Sequence, residues 1–439
     1  MNAAAVRAAI PRDVADLLRT IRRAGFGAYV VGGAVRDALA GREPHDWDLA
    51  TEATPDQLRA VFPEARYENR FGTVGVPTVD GVVREVTTFR ADGPSSDTRR
   101  PDAVSFLQRI DGDLARRDFT INAMAFGIAR EASRRADPVA DGALVDPHGG
   151  LADLRAGLLR AVGDPGERFR EDALRMLRAI RFAARFGLAI EASTAAAIRR
   201  DAPLAARLSG ERIGSEIEGL LAAPQPSDAL RAFAALGLAH AVAPALAVAW
   251  RDDLPERVAA VGAPGSPDAP DPIGRLAELL EPIADDEDVA ALLESWRRPR
   301  ATIAAVQQLR ALDRAAARAE ADGGGRVRAI DLRLAAAALT GDARDAARQL
   351  RRRIAAGRGG RNAPDMLDVA AWADESAAPA RRSDLAIDGD GLVAGLGQPA
   401  GAWVGELLDR LLAEVAHGRT ANEPEALLAR AANLHRAAP

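Results

Sequence analysis

Residues 28–51 read AYVVGGAVRDALAGREPHDWDLAT. Ala28–Val31 is a short apolar run with β-branched and aromatic members, which predicts a strand. It runs straight into Gly32 and Gly33, and Ala34–Leu39 then carries helix-forming residues. A glycine pair between strand and helix lets backbone N–H groups approach a polyanion, and the helix N-terminus adds a favourable dipole. Arg36 falls in the first helical turn, where it is expected within reach of a phosphate. Further on, Asp46 and Asp48 are spaced i, i+2, which on a strand puts both carboxylates on one face. Oxygen ligands so placed suit divalent cations, and two ions roughly 3.5–4 Å apart form the geometry of in-line phosphoryl transfer. Taken singly, Gly-Gly also fits an ordinary turn and Asp-x-Asp a solvated edge. Together in one short stretch, strand, glycine turn, arginine and paired aspartates are far more specific.

Outward from this stretch, Val74–Val76 and Val82–Phe89 are β-branched runs and predict further strands. Glu85 lies inside the second, where a charge needs a reason, and is a candidate third carboxylate. Arg116, Arg117, Asp118 and Asn122 form a polar cluster on a segment, Phe119–Phe126, that reads as an apolar helix. Asp118 and Asn122, i, i+4, would share a face and offer an acceptor and an amide to a ribose 2′-OH. Arg117 offers a guanidinium fork to a triphosphate. The same pattern suits a solvated helix start with Asp118 near its N-cap.

Beyond Gly150 the β-branched runs give way to Ala, Leu, Arg and Glu in helical periodicity. The fold class is therefore α+β: a mixed head over 1–150, then an all-helical remainder divided into a neck (151–225), a body (226–320) and a tail (321–439). Leu254–Ile273, rich in Pro, Gly and Asp, predicts a surface loop. Ala232–Trp250 is uncharged and long enough to raise the membrane question. It is alanine-dominated and holds Gly237, His240 and Pro244, so a buried helix pair is expected.

In the neck, Glu171–Arg185 predicts one helix. Ala173, Met176, Leu177 and Ile180 fall on one face, and Glu171, Asp172, Arg175, Arg178, Arg181 and Arg185 on the other. A surface helix laced with salt bridges has this pattern too. Base chemistry gives a sharper reading. Cytosine and adenine present an exocyclic amino donor beside a ring-nitrogen acceptor; guanine and uracil reverse that order. Asp172 accepts and Arg175 donates, so one fixed pair would take CTP and ATP and reject GTP and UTP. Sites built on buried polar bonds reject wrong partners strongly, because their own groups are left unpaired.

These segments resemble the class II tRNA nucleotidyltransferases, the CCA-adding enzymes and their bacterial poly(A) polymerase relatives, within the polymerase-beta-like nucleotidyltransferases. The resemblance rests on Gly32–Asp37, Asp46–Thr51, Glu85–Arg90, Arg116–Met124, Asp146–Gly150 and Glu171–Arg175, with Asn422–Leu428 near the end. It implies a polymerase-beta-like head followed by a helical neck, body and tail. It implies Asp46 and Asp48 as Mg²⁺ ligands, and Arg117, Asp118 and Asn122 at ribose and triphosphate. It also implies Asp172 and Arg175 at the base, Arg178 and Arg181 touching nucleotide, and Glu171 supporting Arg175. The reaction implied is addition of C, C and A to the tRNA 3′ end from CTP and ATP, with release of pyrophosphate. Asn69–Gly75 resembles the CCA-adding branch, and the polar loop Ala91–Pro101 resembles one that supports the switch from C to A addition. Poly(A) polymerase, a partial CC- or A-adding enzyme, and a non-catalytic RNA-binding protein on the same fold are the alternatives.

Composition narrows the chemistry. The 439 residues contain no cysteine, which excludes disulfides, thiolate zinc sites and cysteine nucleophiles. They contain no lysine either, which excludes Schiff-base catalysis and a lysine-bearing phosphate loop. Five scattered histidines offer no metalloprotease spacing. Net charge is −5, so an RNA surface must be local. Arg348, Arg351, Arg352, Arg353, Arg358 and Arg361 form one basic cluster, which suits a phosphate-binding patch or a solvated helix face. Aromatic residues make up only 4%, too few for an extended base-stacking platform. The first residues lack a signal-peptide run, and a cytoplasmic protein with tRNA, CTP and ATP as partners and no membrane is expected.

Overall fold

The computed structural model describes residues 2–67, 72–92, 104–263, 266–321 and 379–436, with isolated helical residues between 330 and 337. It divides into two compact units, Met1–Ala247 and Val248–Pro439.

The first unit begins with α1 (Ala3–Ala9), α2 (Arg12–Arg23), β1 (Ala28–Val31), α3 (Gly33–Leu39), β2 (Asp48–Thr51) and α4 (Pro55–Val61). There follow β3 (Arg66–Tyr67), β4 (Thr73–Pro77), β5 (Val83–Thr88), β6 (Arg90–Asp92), β7 (Val104–Phe106) and α5 (Ile110–Ala115). The head ends with β8 (Ala125–Ile128), β9 (Ala143–Val145) and α6 (Gly150–Ala156). Seven strands form one mixed sheet in the order β3-β4-β5-β2-β1-β8-β9. β1 runs antiparallel to both β2 and β8, and β2 runs parallel to β5. Strand alternation sends Val30, Leu49, Val86 and Phe126 to one face, where they pack with Val14, Leu18, Val35 and Trp47. Tyr29, Val31, Ala50 and Ala125 go to the other, against Phe89, Ile110 and Leu114.

The helix expected over Phe119–Phe126 is absent: Thr120–Asn122 is a single 3₁₀ turn and the chain then enters β8. Every residue from Thr120 to Ile128 is buried. A run buried on all sides has no period to tell strand from helix, and pairing with β1 decides it. Gly127 permits that pairing, since a Cβ there would lie 2.1 Å from the Ala28 carbonyl oxygen.

The unit continues with β10 (Leu158–Leu159), α7 (Pro165–Glu171), α8 (Leu174–Phe186), β11 (Ala189–Ile190), α9 (Ala192–Asp201), α10 (Gly210–Leu221), α11 (Ser227–Ala235) and α12 (Leu238–Val242). β10 and β11 form a small parallel pair, so the neck is not purely helical. The single helix expected over 171–185 is two helices. Asp172 is extended at φ −149° and ψ 104°, and its Oδ1 accepts from the Leu174 N–H at 3.0 Å. A short carboxylate that bonds nearby backbone competes with helix continuation. The uncharged stretch 232–250 is likewise cut into short helices, with Gly237 at φ +82° between α11 and α12. Among the described residues no helix is long and apolar enough to cross a membrane.

The second unit contains helices Leu254–Ala260, Pro272–Leu279, Asp286–Ser295, Arg300–Ala321, Gly389–Leu396, Ala402–Ala416 and Pro424–Arg436. The surface loop expected over 254–273 therefore holds a helix, and it also holds a small hairpin of Gly262–Ala263 with Ser266–Pro270. Pro255 lies in the first helical turn, where its missing N–H costs nothing, and Leu254 and Val258 are buried beneath it.

Candidate active site

The glycine turn sits where β1 leaves the sheet. Gly32 has φ +70° and ψ −124°, a conformation that excludes side chains. A Cβ at Gly32 would fall 2.5 Å from Arg117 Nη1, so the arginine lies directly against the turn. Gly33 is the first residue of α3 and has ordinary room for a Cβ, with Arg36 Nη2 3.6 Å away.

Asp48 opens β2 opposite Val31, one residue before the turn. Trp47 and Leu49 are buried in the core while Asp46 and Asp48 are exposed, so the two aspartates share the outward side as their spacing predicts. Packing around Asp48 raises its pKa first and the charge of Asp46 second, with Arg117 pulling the other way. Asp46 thus acts on Asp48 across the site, with Arg117 opposing it. Glu85 is on β5, whose parallel register pairs Leu49 with Val86. That register sets Glu85 beside Asp48, and strand alternation puts both on one face. Among the described residues, no group of three or more His, Cys, Asp or Glu side chains is arranged to hold a metal ion. Asp46 and Asp48 remain a hard, oxygen-only donor pair of the kind Mg²⁺ prefers.

Arg117 Nη1 donates to the Asn122 carbonyl oxygen at 3.3 Å and Nη2 to Asp113 Oδ2 at 3.3 Å, while Nε is buried without a hydrogen-bond partner. Asp113, on α5, is only 1% exposed and also pairs with Arg116 at 2.8 Å. Sequence reading passed over Asp113; the signal available was an acidic residue i−3 and i−4 from two arginines.

Asp118 and Asn122 do meet, through the 3₁₀ turn and not along a helix. Asn122 Nδ2 donates to Asp118 Oδ1 at 3.1 Å. Arg178, from α8, binds Asp118 Oδ2 at 2.7 Å. Burial pushes the Asp118 carboxyl up, but Arg178, Asn122 and the Phe119 N–H outweigh it and hold the pKa below the ordinary carboxylate range. Arg36 completes the chain of contacts. It is 5% exposed, donates to Asn122 Oδ1 at 2.5 Å, pairs with Asp37 and lies 4.2 Å from the Phe186 ring centroid. Its guanidinium is thus committed inside the protein, contrary to the expectation that it reaches toward a phosphate. An arginine next to a glycine turn gives no clue from sequence which way its long side chain turns.

The Asp146–Gly150 segment braces this turn. Both Asp146 oxygens accept from the start of α6, at 2.7 Å from Gly150 N and 2.9 Å from Leu151 N. A Cβ on Gly150 would sit 2.1 Å from the Thr120 carbonyl oxygen, so glycine allows α6 to press against the turn carrying Asn122.

Asp172 lies in the break before α8 and Arg175 in the first turn of α8, and each is engaged with protein groups. Asp172 Oδ2 pairs with Arg212 of α10 at 2.7 Å. Arg175 pairs with Glu171 at 2.9 Å and donates to the Arg116 carbonyl oxygen at 3.1 Å. Arg181 is bound to Glu216 at 2.5 Å, with its side chain crossing α10 at Gly219. Arg212 and Glu216 were not singled out by sequence reading, since an Arg/Glu pair at i, i+4 looks like any solvated helix face. Asn69–Phe71, Gly93–Pro101 within the polar loop, and the arginine cluster 348–361 lie outside the described residues.

Comparison with known proteins gives concordant matches along the chain. Residues 28–160 match the family model "Poly A polymerase head domain", residues 187–249 "Probable RNA and SrmB- binding site of polymerase A", and residues 276–431 "tRNA nucleotidyltransferase domain 2". The chain is 36% identical over 421 residues to the CCA-adding enzyme of Geobacillus thermodenitrificans, covering 94% of each chain. The crystal structure of the Bacillus stearothermophilus CCA-adding enzyme in complex with CTP is similar with TM-score 0.65 and 30% identity over 97% of both chains. The Thermotoga maritima CCA-adding enzyme complexed with tRNA shares the fold, with TM-score 0.61 and 21% identity over 99% of both.

Proposed function

The chain belongs to the CCA-adding enzyme family within the poly(A) polymerase head-domain proteins, and on that premise we propose how it completes tRNA 3′ ends with C, C and A from CTP and ATP. It is a nucleotidyltransferase acting in tRNA processing, and it binds tRNA and nucleotides. The head of this family typically works with metal ions. Residues 1–150 serve as catalytic head, 151–225 as neck, 226–320 as body and 321–439 as tRNA-binding tail.

In the reaction the terminal 3′-OH of the tRNA attacks the α-phosphorus of CTP or ATP and pyrophosphate departs. Asp46 and Asp48 would hold Mg²⁺, which when bound favours deprotonation of the attacking hydroxyl and offsets triphosphate charge. Glu85, beside Asp48 across the parallel pair, is the third acid of the site. The Gly32-Gly33 turn brings backbone against the triphosphate, and Arg117, with an unsatisfied Nε–H, adds positive charge to it. Asp118, kept ionised by Arg178, and Asn122 face the ribose. Arg36 acts from behind by fixing Asn122. Asp172 and Arg175 read the base edge, and Arg178 and Arg181 touch the nucleotide beside them. No covalent intermediate is required, in keeping with the missing cysteine and lysine.

The observation that carries this reading is the convergence of the Asp46/Asp48 pair, the Gly32 turn and Arg117 at one end of β1 and β2. The test is incubation with Mg²⁺ and tRNA lacking its last three nucleotides, with each NTP singly and in pairs, and products sized on a gel. CTP alone should add two nucleotides, and CTP with ATP three. Extended A-tracts from ATP alone would point to the polymerase branch, and no addition at all would point to a non-catalytic RNA-binding role.

A further inference from the structure

We infer that Arg212 is a positioning residue for base selection, holding the Asp172 carboxylate in the orientation that rejects guanine and uracil. The inference rests on the reading of Asp172 and Arg175 as the base-reading pair. Asp172 belongs to neither α7 nor α8; it lies on the extended link between them, where helix geometry fixes nothing. Its carboxylate is held instead by two contacts from different elements. Oδ1 accepts from the Leu174 N–H at 3.0 Å and Oδ2 from Arg212 Nη2 at 2.7 Å. With both oxygens anchored, rotation about the terminal torsion is blocked and the carboxylate plane is set.

A carboxylate has about four lone-pair sites, so the two anchoring bonds leave two for a ligand. The side chains of Arg212 and Asp172 are 20% and 21% exposed, so the pair is open at one side. A base amino group finds an acceptor there. A guanine or uracil carbonyl oxygen meets a fixed negative charge, and the clash rejects it. If Arg212 is lost, the carboxylate keeps only the Leu174 bond and can turn aside, and that clash is relieved. Specificity obtained by repulsion depends on the repelling group staying in place.

The rest of α10 supports this role. Glu216, one turn beyond Arg212, binds Arg181 at 2.5 Å, and Gly219 leaves space for the Arg181 stem, since a Cβ there would lie 2.3 Å from Arg181 Cδ. Arg212, Glu216 and Gly219 follow i, i+4, i+7 and form one face of α10 against the reader segment.

The test uses the full chain and tRNA lacking its terminal nucleotides, with kcat and KM measured for each of the four NTPs in wild type, R212A, R212K, D172N and D172N/R212A. R212A should lower the CTP/UTP and ATP/GTP selectivity ratios by about tenfold or more, chiefly by faster use of the wrong nucleotides. R212K should recover part of the ratio. The double variant should be no less selective than D172N, because both act through one group. Wild-type selectivity in R212A alongside lost selectivity in D172N overturns the role given to Arg212. Wild-type selectivity in D172N overturns the base-reading assignment itself. If R212A melts below the assay temperature, R212Q, which keeps a polar side chain but loses both the charge and the reach to Asp172, carries the same comparison against R212K.

Discussion

Replacing Gly32 by alanine probes the turn on which the active site is built. Gly32 lies at φ +70° and ψ −124°, where an L side chain costs about 1–3 kcal/mol of backbone strain. The added Cβ would stand 2.5 Å from Arg117 Nη1. Relief to ordinary contact near 3.5 Å requires the guanidinium to move by roughly 1 Å. Arg117 is tethered to Asp113 and the Asn122 carbonyl oxygen, so that shift strains both bonds. A displacement of about 1 Å at a positioning group can cost about a hundredfold in rate. G32A should therefore lose on the order of a hundredfold in kcat/KM for CTP. Its melting temperature should fall by about 2–4 °C for each kcal/mol of strain in a unit of this size. The assay is single-nucleotide addition of CTP to truncated tRNA, paired with thermal melting. G33A is the internal control. Its Cβ meets nothing closer than 3.6 Å and it sits within a helix, so its stability should hold or rise slightly. Any activity lost in G33A then reports on ligand approach and not on strain. Wild-type turnover and melting in G32A, or equal melting losses in both variants, would refute the reasoning.

Other expectations follow from the same contacts. D46A and D48N should each abolish nucleotide addition while circular dichroism stays native; robust turnover in either removes that residue from the catalytic set. The Asp48 pKa is raised by packing and by Asp46, so the folded state holds a proton more readily than the unfolded one. This group therefore makes stability fall as pH rises from its unfolded to its folded pKa, and D48N should melt no lower than wild type at neutral pH. Asp118 has the opposite sign: its lowered pKa contributes stability above the unfolded value, lost as pH falls through the folded one. D118N should cost about 1–3 kcal/mol at neutral pH, since Arg178 loses its partner, with a smaller penalty in acid; a pH-independent penalty would contradict the pairing. R175A should weaken discrimination for CTP and ATP together, and a variant that still excludes GTP and UTP as well as wild type does would sink the idea of a protein template.

Much of the molecule was determined by sequence alone. β1 spans the predicted Ala28–Val31, because a fully apolar four-residue run bounded by glycines has few other uses. The outward placement of Asp46 and Asp48 was set by alternation around Trp47 and Leu49, a purely local rule. The α+β head and helical remainder followed from where β-branched residues stop. The family was legible because its signature residues lie close together in the chain.

Tertiary structure decided what local rules could not reach. Phe119–Phe126 is largely apolar and buried, and only pairing with β1 made its last residues the start of a strand. The Glu171–Arg185 pattern read as one helix because its periodicity carries across Asp172, yet a side-chain bond to Leu174 N interrupts it. Arg36 turned inward because Asn122, Asp37 and Phe186 surround it, and of these only Asp37 is near it in sequence. The position of Arg212 likewise became meaningful only when folding brought it against Asp172, which lies in a different segment of the neck. Periodicity encodes which way a side chain faces relative to its own backbone; which partner waits there depends on long-range packing that no local window contains.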